Sequence, residues 1–554
     1  MRNPSGRLTF SLIAGGSLLL AVIICTVPAQ VSLGATTTEM VELDGSSIWK
    51  NATSLEQLGA SYPSYRCAGS AGANASAAWI LSSFQQLGLA AWSEGFQFHG
   101  WDLALEPSMN VTFINGSSEE TLTLTSFQAE QFSAPTPLYG ATGELVLLPL
   151  PSTSSRGSFT SLSYDPSGWQ GIDIHDRIVF VGREVRWNPE YEEGLAEKLR
   201  EDPAALVFFY SQPWSLSYEV MFSASSGGMP LSNAGAYLHD QSVPAGHIDA
   251  VDTGWLLEKL DQGNISARIA IDSTEGIWTQ SNVVAFLPGE SEDSDQILLT
   301  AHYDTVMDGG FCDNAASVAT MIEVAAKLVG MRDEGALDPS CAIRFIALTG
   351  EELGLVGSSY YFAMHADEMG EVRAVVNIDC LGAGVMSRST TDPSQGIDLD
   401  ELVDRCVADA GISSIIEEGS SDHQSFLYPR DVAWQIQSRW GISPQIGSDA
   451  TSVTSSICLS SLPLTPLDPY PSGHPGWIHT SRDSSSFCSS SGWITEENLG
   501  EQGNVVLALC LDLLGTAQNS DDSASPLPVI MVVGVLVFVA VAVLLMVMVR
   551  RRAA

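Results

Sequence analysis

Three short, largely apolar runs, at 297–301, 343–348 and 374–378, each stop on ionisable residues: His302 and Asp304 after the first, Glu351 and Glu352 after the second, and Asp379 after the third. Short apolar runs of this kind fit strands buried on both faces of a parallel sheet. In an open α/β sheet the carboxyl ends of the strands face the ligand crevice, so residues far apart in sequence converge there. The chain must therefore fold so that a histidine and several carboxylates share one sheet edge. Asp313 and Asn314 stand just ahead of Val318, Met321, Ile322, Ala325 and Leu328, which recur at helical spacing. That pattern predicts a helix that starts at Asp313, buries this stripe and turns its amino end toward the same edge.

Such a set of residue types suits divalent metal ions. A carboxylate has two oxygens and can bridge two ions, and two ions a few ångströms apart can polarise a scissile carbonyl and activate water. Adjacent glutamates after a strand can diverge, so that Glu352 ligates while Glu351 handles the proton. The ordered series His302-x-Asp304, Asp313-Asn314, Glu351-Glu352, Asn377-x-Asp379 and a later histidine resembles the M28 family of zinc peptidases, over roughly residues 282–510. By that resemblance His302 and Asp379 bind one ion, Glu352 and His479 bind the other, and Asp313 bridges them, giving two zinc ions per chain. Glu351 would be the general base, and Asp304 would fix the imidazole tautomer of His302. His423, His474 and His479 all fall late in this region, and His479 with Thr480 and Asp483 is similar to the closing motif of the family. His423, in a segment that also resembles one near the family's cleft, and Asp483 are then expected to touch substrate or a ligand.

The fold implied is a mostly parallel mixed sheet flanked by helices, an α/β zinc-peptidase domain, spanning 274–515 with an amino-terminal part at 30–136. Helix signals at 77–88, closed by Gly88, are similar to the first helix of M28 peptidases. Between them, short apolar strands in 137–273, with motifs at 176–183 and 243–248, look like a β-rich protease-associated domain. The activity expected is hydrolysis of amino-terminal residues from peptides or small proteins. The same metal set serves carboxypeptidases of the glutamate-carboxypeptidase kind, and glutaminyl cyclases use a similar frame with one zinc. Receptor ectodomains that keep the fold typically lose ligands, whereas every ligand and the base are present here.

Both ends read as membrane-directed. Arg2 and Arg7 precede an apolar stretch and small residues, a secretory signal over 1–29 or an uncleaved anchor. Residues 529–549 are continuously apolar and, at about 1.5 Å per residue, span a hydrocarbon core of roughly 30 Å. Arg550, Arg551 and Arg552 follow, which places the tail 550–554 in the cytoplasm. The polar segment 516–528 is then a stalk, and the catalytic region faces outward in a single-pass protein of the cell membrane.

With 24 Lys plus Arg against 65 Asp plus Glu, the net charge is −41, which excludes nucleic acid as a natural partner. So acidic and lysine-poor a chain suits a salty medium. Eight cysteines lie beyond the leader, a number compatible with disulfides, and a bridge between Cys458 and Cys488 would brace the loop that carries His479. The number of copies in an assembly is not written in the sequence.

Overall fold

The structure is a computed structural model that describes residues 42–115, 118–149, 166–182, 189–209, 243–248, 250–289, 295–306, 309–337, 339–391, 397–416, 419–441, 444–447, 455–462, 478–479 and 483–515. The expected leader (1–29), stalk (516–528), transmembrane segment (529–549) and tail (550–554) lie outside these residues. Among the described residues no helix is long and apolar enough to cross a membrane.

The main sheet is built from β1 (Ala90–Leu103), β2 (Ser273–Leu287), β3 (Gln296–His302), β4 (Ala342–Leu348), β5 (Val372–Ile378), β6 (Val385–Arg388), β7 (Ser414–Ile416) and β8 (Ser456–Leu462). Their order across the sheet is β1-β2-β4-β3-β5-β8-β6-β7. At its centre β3 runs parallel to β4 and to β5, and β5 runs parallel to β8. Every residue of β3 is buried, as the unbroken apolar run requires of a strand covered on both faces. Register brings the strand ends together. His302 pairs with Leu348, and Thr300 pairs with Asn377, so the polar residues that follow each strand emerge on one edge.

The helix after Asp313 runs over Ser317–Asp333, a few residues later than the spacing predicted. Residues Phe311–Ala316 form a wider turn in which Asp313 and Asn314 have non-helical backbone angles. The helix is buried on more than one stripe, since Ala319, Thr320 and Val324 are as inaccessible as Val318, Met321 and Ala325. It lies between the sheet and two further helices, Gly45–Gly59 and Glu496–Gly515.

The second sheet differs from the expected insertion in extent and in composition. Its order is Ser118–Leu124, Ser108–Asn115, Asn264–Ala270, Ala141–Leu148, Ile178–Gly182, Ala205–Phe209, Ala245–His247 and Gln128–Ala129. Strands at 108–124, placed in the peptidase part by the sequence, belong here. Ser108–Asn115 buries Met109, Val111 and Phe113 by alternation and pairs with Asn264–Ala270, which buries Ile265, Ala267 and Ile269 in the same way. The chain thus leaves the main sheet after Leu103 and returns at Ser273. Four strands of this sheet are parallel neighbours and the unit carries helices at Pro189–Leu199 and Ala250–Leu260, so it is α/β in character and not simply β-rich.

A cluster beside β1 gives the fold a pH dependence. His365 Nε2 lies 3.0 Å from Glu94 Oε2, and its Nδ1 lies 3.1 Å from Glu368 Oε1. Arg344 holds Glu368 at 2.7 Å. Burial alone would lower the His365 pKa, but the Glu94 and Glu368 carboxylates outweigh it and raise the imidazole above its ordinary 6.5. A raised folded-state value contributes stability that is complete below pH about 6.5 and is lost as pH rises through the folded-state pKa. His365→Gln should therefore flatten the fall in melting temperature expected of the zinc-loaded wild type as pH rises above about 6.5; parallel curves for the two proteins would exclude this role.

Candidate metal centre

His302 closes β3 and is almost fully buried. Its Nδ1 lies 3.1 Å from the backbone oxygen of Asp304. A carbonyl oxygen only accepts, so Nδ1 carries a proton and Nε2 is the ring atom left to ligate a metal ion. That atom faces Asp313 Oδ1 at 3.1 Å and Asp379 Oδ1 at 3.3 Å. Two carboxylate oxygens this close together repel one another unless a positive charge sits among them, and without a metal ion the proton they draw onto the imidazole supplies it.

Asp313 reaches a second histidine with its other oxygen. Oδ2 is 2.9 Å from His479 Nε2, and the same Nε2 is 3.2 Å from Glu352 Oε1. Glu352 Oε1 is buried and accepts no hydrogen bond. Among the described residues two groups have the spacing to hold a metal ion: His302, Asp313 and Asp379, and Asp313, Glu352 and His479. Mixed imidazole and carboxylate donors of this kind suit zinc. In the metal-free chain burial would raise Asp313, but the hydrogen bonds and charges of His302 and His479 hold it well below the usual carboxylate range. Burial works against protonation of His302, and Asp379, Asp304 and Asp313 reverse it; for His479 burial is reversed by Glu352 and Asp313.

The backbone around these ligands is held by two other carboxylates. Asp304, expected from the sequence to orient His302, meets Nδ1 of the ring with its backbone oxygen at 3.1 Å and with Oδ1 at 3.7 Å. Its two carboxylate oxygens also accept from the backbone N–H groups of Glu351 and Glu352, at 3.2 and 3.3 Å. Asp483 does the same for the other loop, accepting from Cys312 N at 2.6 Å and Asp313 N at 3.0 Å. Buried and bound to main chain, it points at neither metal group, and burial raises it to about 7. Gly310, at the entry to the Asp313 turn, has φ +56 and no room for a side chain, because a Cβ would stand 2.1 Å from Thr305 Cγ2.

Arg66 had no assigned role in the sequence reading. It is fully buried and donates to three carbonyls, those of Tyr303, Gly309 and Gly310, at 2.7 to 2.9 Å. It thereby ties the segment after His302 to the segment before Asp313. Carbonyl partners of this kind leave no mark in the sequence. His423 is buried, in neither metal group, and begins the short helix Gln424–Leu427. His474 lies outside the described residues.

Glu351 stands beside Glu352 without being part of either metal group. Burial first, and then the neighbouring carboxylates of Glu352, Asp379 and Asp422, push its carboxyl well above the ordinary range in the metal-free chain, with His302 acting the other way. The expected bridge between Cys458 and Cys488 is absent, and the eight cysteines of the described residues are buried thiols. The reason is placement: Cys458 Sγ accepts from Asn377 Nδ2 at 3.5 Å on the sheet, whereas Cys488 lies on the helix Ser485–Ser491.

Residues 282–495 match the model of Peptidase family M28. The chain is 29% identical over 162 residues to a probable leucine aminopeptidase 2 of Aspergillus fumigatus, covering 29% of this chain and 30% of that protein. It is 27% identical over 215 residues to leupeptin-inactivating enzyme 1 of Streptomyces exfoliatus, covering 36% and 47%. The matches span less than half the length of these relatives. Among solved structures, a zinc aminopeptidase from Bacillus subtilis superposes with a TM-score of 0.56 at 21% identity, over 86% of this chain and 97% of that one. A peptidase M28 precursor from Shewanella amazonensis gives 0.55 at 16% identity, over 85% and 96%. At these identities the likeness speaks for the fold.

Proposed function

We propose, from the premise that residues 282–495 belong to peptidase family M28, that this chain is a zinc aminopeptidase working with two ions. The observation that carries the reading is Asp313, whose two oxygens face the histidines of two separate metal groups. His302, Asp313 and Asp379 would hold one ion, and Asp313, Glu352 and His479 the other. Bound there, the ions would polarise the peptide carbonyl and lower the pKa of water. Glu351 takes a proton from the attacking water at a carboxylate oxygen and returns it to the leaving amine nitrogen. Asp304 keeps Glu351 and Glu352 diverging by holding both of their amides. The names of the relatives support an aminopeptidase over the carboxypeptidase and cyclase alternatives.

The full-length chain loaded with Zn2+ is expected to release the first residue from peptides with a free amino terminus and to leave N-acetylated ones intact. Equal cleavage of both would refute the aminopeptidase reading, and a product lighter by ammonia would identify a cyclase. We also propose that 529–549 anchors the protein with 30–528 outside the cell and that the second sheet is a protease-associated domain. Protease added to intact cells should then remove the catalytic region; its survival, with digestion in lysed cells, would contradict that topology.

A further inference from the structure

Thr300, Asn377, Ser421 and Asp379 form one line of hydrogen bonds that ends on a metal-ligand residue. Thr300 on β3 and Asn377 on β5 are register partners. Thr300 Oγ1 donates to Asn377 Oδ1 at 2.7 Å, and an amide oxygen only accepts, so this direction is fixed. Asn377 Nδ2, which only donates, gives a proton to Ser421 Oγ at 2.8 Å. The hydroxyl proton of Ser421 is then directed to Asp379 Oδ2, at 2.7 Å. Thr300, Asn377 and Ser421 are all buried, so water does not compete for these bonds. The oxygen of Asp379 left over is Oδ1, the one that faces His302.

We propose that Ser421 is a positioning residue for the ion of the His302 group: by occupying Oδ2 of Asp379 it makes Oδ1 the single ligating oxygen. This rests on the two-ion reading above. The Glu352 group has a different support, with Asp304 on its backbone amide and Oε1 accepting no hydrogen bond. Removing the Ser421 hydroxyl therefore acts on one ion and not on the other.

The test is a competitive chelator titration of the full-length chain with Zn2+ alone. Ser421→Ala should weaken one ion about 10- to 100-fold, the range typical when a partner of a metal ligand is lost, and leave the second within about twofold. In a His479→Ala background the added Ser421→Ala should weaken the ion that remains, and in a His302→Ala background it should not. Ser421→Thr, which keeps the hydroxyl, should restore the affinity. Asn377→Asp replaces the amide donor by an acceptor that draws the Ser421 proton away from Asp379, so it should give the same one-sided loss with Ser421 in place. It decides the matter alone if Ser421→Ala does not fold. Equal weakening of both ions, or no loss in either variant, overturns the proposal. A wild type that binds fewer than two ions overturns the two-ion reading instead.

Discussion

Glu351→Gln should lower peptide hydrolysis by about a hundred- to ten-thousand-fold, the usual cost of removing a general base, while zinc content and melting temperature stay near wild type. Glutamine has the size of glutamate but cannot accept the proton of the attacking water, and Glu351 belongs to neither metal group. Glu352→Gln should behave differently, losing zinc along with rate, because Glu352 Oε1 faces His479 from within the second group. The two neighbouring substitutions separate proton transfer from ligation. Comparable turnover by wild type and Glu351→Gln would rule out the proposed role.

Asp313→Ala is expected to weaken both ions, each by more than the 10- to 100-fold typical of a residue that merely supports a ligand, and to remove activity with them. His302→Ala and His479→Ala should each disturb mainly one ion. The distinction follows from Oδ1 facing one imidazole and Oδ2 the other. Zinc stoichiometry by elemental analysis after gel filtration reads it directly. Two tightly held ions per chain in Asp313→Ala would exclude the bridge.

The parts of the site that were legible in the sequence are those written as pattern. β3, β4 and β5 are buried on both faces, so their apolar runs stand out, and the ionisable residues after them had to emerge on one edge. The structure brings His302, Asp313, Glu352, Asp379 and His479 together from these positions. Ser108–Asn115 was misplaced because only alternate residues are buried, and its partner strand lies about 150 residues later along the chain. Asp304 was assigned to the ring of His302 by resemblance to M28 peptidases, and nothing in the sequence marks the amides 47 and 48 residues away from which its carboxylate also accepts. Arg66 and Ser421 were missed for a related reason, since main-chain carbonyls and a serine hydroxyl carry no sequence signature.

The ribbon of β1 and β2 has a consequence for how this protein can change. Ala90 pairs with Phe286, and the pairing continues residue for residue to Leu103 and Ser273, where the chain departs and returns. The two ends of everything between them are thus one strand spacing apart, about 4.8 Å. Whatever is threaded between those ends, the ribbon itself is already closed, and a longer or shorter excursion alters the closure entropy only slowly with its length. The excursion is nevertheless tied into the main sheet by packing as well as by chain, because Phe96, Phe98 and Trp101 of β1 share one buried core with Met109, Phe113 and Phe127 beyond the junction.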